Sequence, residues 1–383
     1  MGLKIRQFCL SSRSEERLLF ARWRLEFSRW LFFLFVIVGF VYCTRDNVDS
    51  EYLSNEIKSQ AIELKGKVLD SSYRFIRAKE FFVYHDSILV VLNKPHRGGG
   101  FVDLFDLNSK TTLRSFFRMG NGPGELLNAI AHLHGKELIV HDFAKHQIAS
   151  IDLDSALISS SYRPSSPLKF SNDVGSPFVT FLDSARMIML NPYYFDNEDL
   201  GIDNDVPRFL VRETRKNSPV CEMALPQLYY TYNVSQGFII PNIEKNRIIY
   251  ASNFYDELEI YDKNLNLLKR IEGPDKLRPV YRMHGKEIIF DKIVPYSYRS
   301  YAMTDSSFYL SYIGDYYVSR KSKLQNFDSW IFKFDWDGNF IECYHSKEYI
   351  SSLSLSDVDG KFYGRGFDRD GTPIVWELTK TGK

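Results

Sequence analysis

The chain has 383 residues, 44% hydrophobic and 25% charged, with 49 basic and 48 acidic side chains and a formal net charge of +1. That composition excludes a disordered chain, a collagen and a multi-span membrane protein, and the near-zero balance offers no bulk field for nucleic acid or another polyanion. Aromatic residues reach 15%, with 30 Phe and 24 Tyr, so the fold must house many large flat side chains.

The charge is unevenly spread from the start of the chain. Residues 1–29 hold seven basic side chains against three acidic ones, a balance of +4 that leaves −3 for the remainder. Next comes Trp30-Leu-Phe-Phe-Leu-Phe-Val-Ile-Val-Gly-Phe-Val-Tyr-Cys43, fourteen residues without a charge. A stable helical span needs about 20 apolar residues, so this run has the length of a signal-peptide core with a basic flank. Cys43 stands where a bacterial lipoprotein is cleaved and acylated, although Tyr42 occupies the place of the usual small residue. Lipidation at Cys43, an uncleaved single anchor and a buried core segment are the three readings. Residues 1–43 are thus expected to be a signal peptide or membrane anchor. Residues 44–58, rich in Asn, Asp, Ser and Glu, are expected to be a tether.

From about residue 60 the chain has no long apolar stripe of helical period. Short β-branched and aromatic runs alternate with Gly, Asn, Asp and Pro, which predicts an all-β domain over 59–383. One phrase recurs: an apolar strand, a polar break, then an alternating strand ending near an acid. It appears as Ile88–Leu92 with Phe101–Leu107, and as Leu138–Asp142 with Gln147–Leu153. It continues as Met187–Leu190 with Phe209–Glu213, and Ile248–Ala251 with Glu257–Asp262. The last copies are Phe308–Tyr312 with Trp330–Asp335, and Lys361–Gly364 with Ile374–Leu378. The second strands begin near 101, 147, 209, 257, 330 and 374, in steps of 46, 62, 48, 73 and 44 residues. A four-stranded propeller blade takes about 40 to 50 residues. Six copies therefore predict a six-bladed β-propeller with insertions in two steps.

The last copy leaves only five residues after Leu378, too few for a further strand and its turn. A propeller must close without a bare sheet edge, so Ala61–Leu69 is predicted to supply the outer strand of the last blade. The aromatic excess fits the gaps between blades, which widen outward. Phe81-Phe82, Phe116-Phe117, Tyr229-Tyr230 and Tyr316-Tyr317 are examples. Cys221 and Cys343 have no framework spacing and are expected as separate buried thiols, with a disulfide after export as the alternative.

Between the first two blades stands Phe117-Arg-Met-Gly-Asn-Gly-Pro-Gly-Glu125, followed by Asp142, Lys145 and Asp152. Gly120, Gly122 and Gly124 lack the spacing and the following helix of a phosphate cradle. They read as turn glycines with Pro123 stiffening the turn, and Glu125 either caps backbone N–H groups or pairs with Arg118. The phrase resembles the NHL-type blade. It resembles more closely the TolB-like six-bladed propellers found among predicted lipoproteins of Bacteroidales-type bacteria, over about residues 60–380. That resemblance implies the fold and export to the periplasm or cell surface of a Gram-negative bacterium. It does not imply a defined activity.

Catalytic phrases are missing: there is no Gly-x-Ser-x-Gly, His-Glu-x-x-His or Cys-x-x-Cys. His132-x-His134 shares one strand face and has metal-ligand spacing, but no third ligand is nominated. Asn128, Asn172, Asp173 and Asn233 lie near expected inner strands. They keep open an alternative, a propeller hydrolase or lyase with a divalent cation in the channel. Asn191–Asp205 is an acidic loop that could hold a cation, without the pattern of an EF-hand. The long segment Gly273–Arg299 is the most individual region. Its Arg278, Tyr281, Arg282, His284, Tyr296, Tyr298 and Arg299 are residue types enriched at binding hot spots, and they form the candidate ligand-binding loop. The expected function is a membrane-tethered extracytoplasmic binding or scaffold module with no resident cofactor. Its partners would be the membrane and a protein, small-molecule or glycan ligand.

Overall fold

The computed structural model describes residues 49–70, 77–94, 99–169, 179–182, 186–190, 209–213, 236–284, 287–290, 293–318, 323–356, 360–368 and 370–381. The described residues from Ser50 onward belong to one compact unit, Ser50–Lys383. The basic leader, the apolar run and Cys43 lie outside the described residues, as do Cys221 and the acidic loop 191–205.

The described chain opens with β1 (Asp49–Tyr52), the one-turn helix α1 (Glu56–Ser59) and β2 (Ile62–Asp70). The first blade is β3 (Ala78–Tyr84), β4 (Ile88–Asn93), β5 (Gly100–Asp106) and β6 (Thr111–Arg118), hydrogen-bonded in that order. The second is β7 (Ala129–His134), β8 (Glu137–Asp142), β9 (Gln147–Asp152) and, after helix α2 (Leu153–Ile158), β10 (Leu168–Lys169). The third shows β11 (Val179–Phe181), β12 (Arg186–Leu190) and β13 (Phe209–Glu213). The fourth is β14 (Gly237–Asn242), β15 (Arg247–Ser252), β16 (Glu257–Tyr261) and β17 (Leu267–Glu272), with β1 added outside β17. A hairpin of β18 (Tyr281–His284) and β19 (Glu287–Phe290) follows.

The fifth blade is β20 (Ile293–Met303), β21 (Ser307–Val318), β22 (Ser329–Asp335) and β23 (Phe340–Ser346). The sixth is β24 (Tyr349–Leu355), β25 (Phe362–Phe367), β26 (Pro373–Lys380) and β2. The recurring phrase of the sequence is the second and third strand of each blade. Second strands face a neighbouring blade on both sides, so β4 is buried at every position and reads as an unbroken apolar run. Outer strands such as β6 are mostly exposed, and their sequence carries little signal.

Six apolar clusters lie between the blades. The first cluster joins blades one and two, with Leu92, Phe101 and Leu104 against Ala131, Leu138 and Val140. Ile130 and Ile139 meet Met187 and Met189 between blades two and three, and Leu190 and Phe209 meet Tyr250 and Tyr261 between three and four. Ile249 and Leu258 meet Tyr298, Phe308 and Phe332 between four and five. Tyr309 and Tyr344 meet Ile350 and Phe362 between five and six. The last cluster, Tyr363 and Val375 against Phe81, Leu89 and Phe105, returns from blade six to blade one. The ring is therefore closed with six blades. Aromatic filling is concentrated between blades four and five, where Phe308 also packs on Phe334 and Trp336. The buried residues between two and three are Ile, Met, Val and Leu, with Phe143 and Phe181 partly buried beside them.

Closure follows the sequence expectation. β2 pairs antiparallel with β26, Lys65 opposite Thr379, and parallel with β23, Ile62 opposite Tyr344. The N-terminal strand thus covers the edge of the sixth blade and fuses it with the fifth. The tether expected over 44–58 is different in the structure: its second half is docked. The Leu53 N–H donates to Glu272 O at 2.9 Å, and its side chain is buried in the cluster between blades four and five. Tyr52 Oη donates to Pro274 O at 3.2 Å. Polar composition concealed this, because one leucine, backbone pairing and ion pairs of Glu51 with Lys269 and Lys58 with Asp275 fix the segment.

Candidate functional site

The innermost strand of every blade contributes to a central cavity of about 510 Å³. Blade one gives Lys79, Glu80 and Phe82, and blade two gives Asn128, Ile130 and His132. Val179 and Phe238 come from blades three and four, Arg299 and Tyr301 from blade five, and Ser351 and Ser352 from blade six. The wall is mixed, with a few charged groups set among apolar ones, as small-molecule sites usually are.

Burial governs the charges in this channel. It lowers the Lys79 ammonium from its usual range against the pull of Glu80, and Lys94 lowers it further. It raises the Glu80 carboxyl, opposed by Lys79 and by a hydrogen bond from the Ala131 N–H. His132 is pushed down to about 4 by burial and then by the Lys79 charge. Burial, then the Glu80 charge, raises the Tyr301 phenol. Lys79 Nζ donates to Ala129 O at 3.1 Å and lies 5.9 Å from the Phe143 ring centroid. His132 Nδ1 stands 3.4 Å from Tyr301 Oη across the channel, and the Val179 backbone also hydrogen-bonds the buried ring.

The description TolB-like 6-blade propeller-like matches residues 54–358, most of the chain described above. The chain belongs to the TolB-like six-bladed propeller family. No curated protein matches it. Among solved structures it is similar to a DUF4221 family member from Bacteroides vulgatus ATCC 8482, at 12% identity and a TM-score of 0.50, over 84% of this chain and 98% of that one. A protein of Bacteroides fragilis NCTC 9343 inferred to be exported has 10% identity and a TM-score of 0.48, over 87% and 99%. The Neurospora crassa Pan2 WD40 domain has 11% identity and a TM-score of 0.43, over 84% and 95%. These likenesses concern the fold alone.

The Gly-Pro-Gly-Glu phrase of this TolB-like propeller is a turn built around one carboxylate. Glu125 Oε2 accepts from the Gly122 N–H at 2.8 Å. It fills the space where a Cβ on Gly120 would sit, and it lies 2.9 Å from one on Gly122. Gly124 has φ +74°, which favours glycine. Lys145 Nζ donates to Glu125 O at 2.6 Å and to Gly122 O at 3.1 Å. The buried Asp142 accepts from the N–H groups of Leu127, Ala144 and Lys145, which pins the start of blade two. Glu125 is a backbone cap, and Arg118 is exposed at the end of β6.

The candidate ligand-binding loop does not form one loop. Arg278 is tied to Glu257 and Glu272 at 3.4 and 3.3 Å, over the Tyr255 ring. Tyr281, Arg282 and His284 belong to the β18–β19 hairpin, where they pair with Phe290, Ile289 and Glu287. Tyr296, Tyr298 and Arg299 lie in β20, the inner strand of blade five. Tyr298 is fully buried and packs on Tyr312 between blades four and five, so it faces the core. Only Arg299 reaches the channel, with its guanidinium 4.4 Å from the Tyr296 ring centroid.

His132 faces the channel whereas His134 is exposed at the strand end, so the two do not converge. Among the described residues no three His, Cys, Asp or Glu side chains are grouped to hold a metal. Asn128 lines the channel, and Asn172, Asp173 and Asn233 lie outside the described residues. Cys343 is a free buried thiol, pushed up to about 12 by burial.

Lys79, Glu80 and Tyr301 were not singled out by sequence reasoning. A signal for the first two existed. Ala78-Lys-Glu-Phe-Phe-Val-Tyr84 puts two opposite charges into a strand that is otherwise apolar, and an inner strand has no solvent face to take them.

Proposed function

We propose that this chain is a membrane-tethered extracytoplasmic binding module that takes its ligand in the central channel. The observation that carries the reading is the channel wall itself. All six inner strands contribute to it, and Lys79, Glu80, Arg299, His132 and Tyr301 face a space large enough for a small molecule or a chain end. Export and tethering rest on the basic leader, the short apolar run and Cys43. The rigid ring holds these side chains without closure, which lowers the ordering cost of binding.

Two measurements test the reading. Cells making the full chain or its Cys43→Ser variant are fractionated after fatty-acid labelling. The expected result is a labelled membrane protein that loses label and membrane attachment in the variant; retained label in Cys43→Ser contradicts lipidation. The full chain in detergent is then screened against glycans, peptides and metabolites by hydrogen exchange. Ligand protection is expected in Lys79–Phe82, Asn128–His132 and Arg299–Tyr301. Protection confined to outer strands would exclude the channel as the site.

A further inference from the structure

The inference concerns what kind of group the channel receives, and it rests on the reading of the channel as the binding site. Among the described residues lining the cavity, Glu80 is the only carboxylate, against Lys79, Lys94 and Arg299. A second arginine stands just behind that wall. Arg365, on β25, is 6% exposed. Its Nη1 donates to Ser351 Oγ at 3.1 Å, and Ser351 lines the cavity.

Among the described residues no carboxylate lies within ion-pair distance of Arg365 or Arg299, and Arg365 Nε is buried with no partner. Burying an unpaired charge costs several kcal/mol in real proteins, and such groups are nearly always paired. An unpaired buried guanidinium therefore needs an account.

Both guanidinium groups are seated for presentation. Arg299 lies against Tyr296, and Arg365 is 5.5 Å from the Phe367 ring centroid. Tyr349 stacks on Phe367 and hydrogen-bonds Arg299, and the Arg365 charge also acts on it. Aromatic faces fix the two groups in place and leave N–H edges free to donate. Paired N–H donors on a planar fork match the two oxygens of a carboxylate or of a phosphoryl or sulfuryl group.

We propose that Arg299 and Arg365, with Ser351 and Tyr349, form a site for a compact oxyanion, a carboxylate, sulfate or phosphate group, on the ligand that enters the channel. The anion supplies the charge partner that the fold withholds.

The test uses the full chain in detergent. Melting temperature is measured in chloride and in acetate, sulfate or phosphate at matched ionic strength. Sulfate and phosphate stabilise many proteins by exclusion from the surface, so the informative quantity is the difference between proteins. Wild type and Arg247→Gln, which alters a surface ion pair with Asp337, should rise by about 2 °C or more beyond Arg365→Met and Arg299→Gln in at least one anion. The most effective anion identifies the group. Should Arg365→Met fail to fold, Arg299→Gln carries the comparison. Equal responses in all four proteins would overturn the site. If that happens while hydrogen-exchange protection on the inner strands persists, only this inference falls. If the protection is absent too, the channel reading falls with it.

Discussion

Lys58 and Arg365 are both cations drawn in from solvent, but only one of them has been given a carboxylate. Lys58, on α1, ion-pairs with Asp275 and lies 5.2 Å from the ring centroids of Tyr312 and Trp330. Tyr312 Oη reaches Asp256 Oδ2 at 2.9 Å and Asp275 Oδ2 at 2.7 Å. The N-terminal segment is locked there against blades four and five. Arg365 has a serine, a ring and, among the described residues, no acid. Lys58 serves the fold and its partner is built in; among the described residues Arg299 and Arg365 have no such partner. The difference separates a structural ion pair from a receptor for something brought from outside.

The largest expected effect is on the paired side. Lys58→Met strands Asp275 without its cation, and removal of one partner from a pair drawn in from solvent is strongly destabilising. The denaturation midpoint should fall by the equivalent of about 3 kcal/mol. A midpoint within error of wild type would break the comparison at its firm end.

The pH dependence sharpens it next. His132 is held down to about 4 and His141 to about 3, both first by burial. Below the ordinary histidine value the unfolded chain takes up protons that the folded one refuses. Stability is therefore full above about 6.5 and is lost progressively as pH falls toward the folded values. Asp256 is pushed up to about 6 by burial, against its bonds from Tyr312 and the Asp275 N–H. It binds its proton better in the fold, so it contributes the opposite slope between about 3.9 and 6. The two histidines lower the melting temperature as pH drops from 6.5 to 4, and the raised Asp256 and Glu80 carboxyls oppose them. Asp256→Asn should steepen that fall, and an unchanged slope would argue against the shifted carboxyl.

A smaller effect is expected at the turn before blade two. Glu125→Ala removes the cap on the Gly122 N–H and should cost about 1 kcal/mol by chemical denaturation. Glu125→Gln, which keeps an acceptor, should recover most of it.

The sequence was legible where burial is two-sided. Ile88–Leu92 and Ile248–Ala251 read as strands because both faces meet neighbouring blades, and from them the period and the six copies followed. Ring closure by Ile62–Asp70 was legible from chain length and edge logic. The turn at Gly120–Glu125 was legible from residue type. Docking of 49–58 was not, because the segment is held by backbone bonds, one leucine and ion pairs of Glu51 and Lys58 to residues distant in sequence. The site was harder still. Lys79 and Arg299 sit far apart in sequence, and only the radial arrangement of inner strands brings them to one space, with Arg365 behind it on β25. Tyr296, Tyr298 and Arg299 look alike as a Tyr/Arg run. Strand alternation sends Tyr298 to the core and leaves Arg299 at the channel.

The most direct measurement sets the two cations side by side: the denaturation midpoints of Lys58→Met and Arg365→Met in the same chloride buffer. Methionine keeps much of the packing of each long side chain, so the charge is the main change. A fall for Lys58→Met, with a midpoint for Arg365→Met at or above wild type, is the predicted result, because Arg365 costs the empty fold more than it returns. A comparable fall in both would show that Arg365 is a structural charge and would contradict the account.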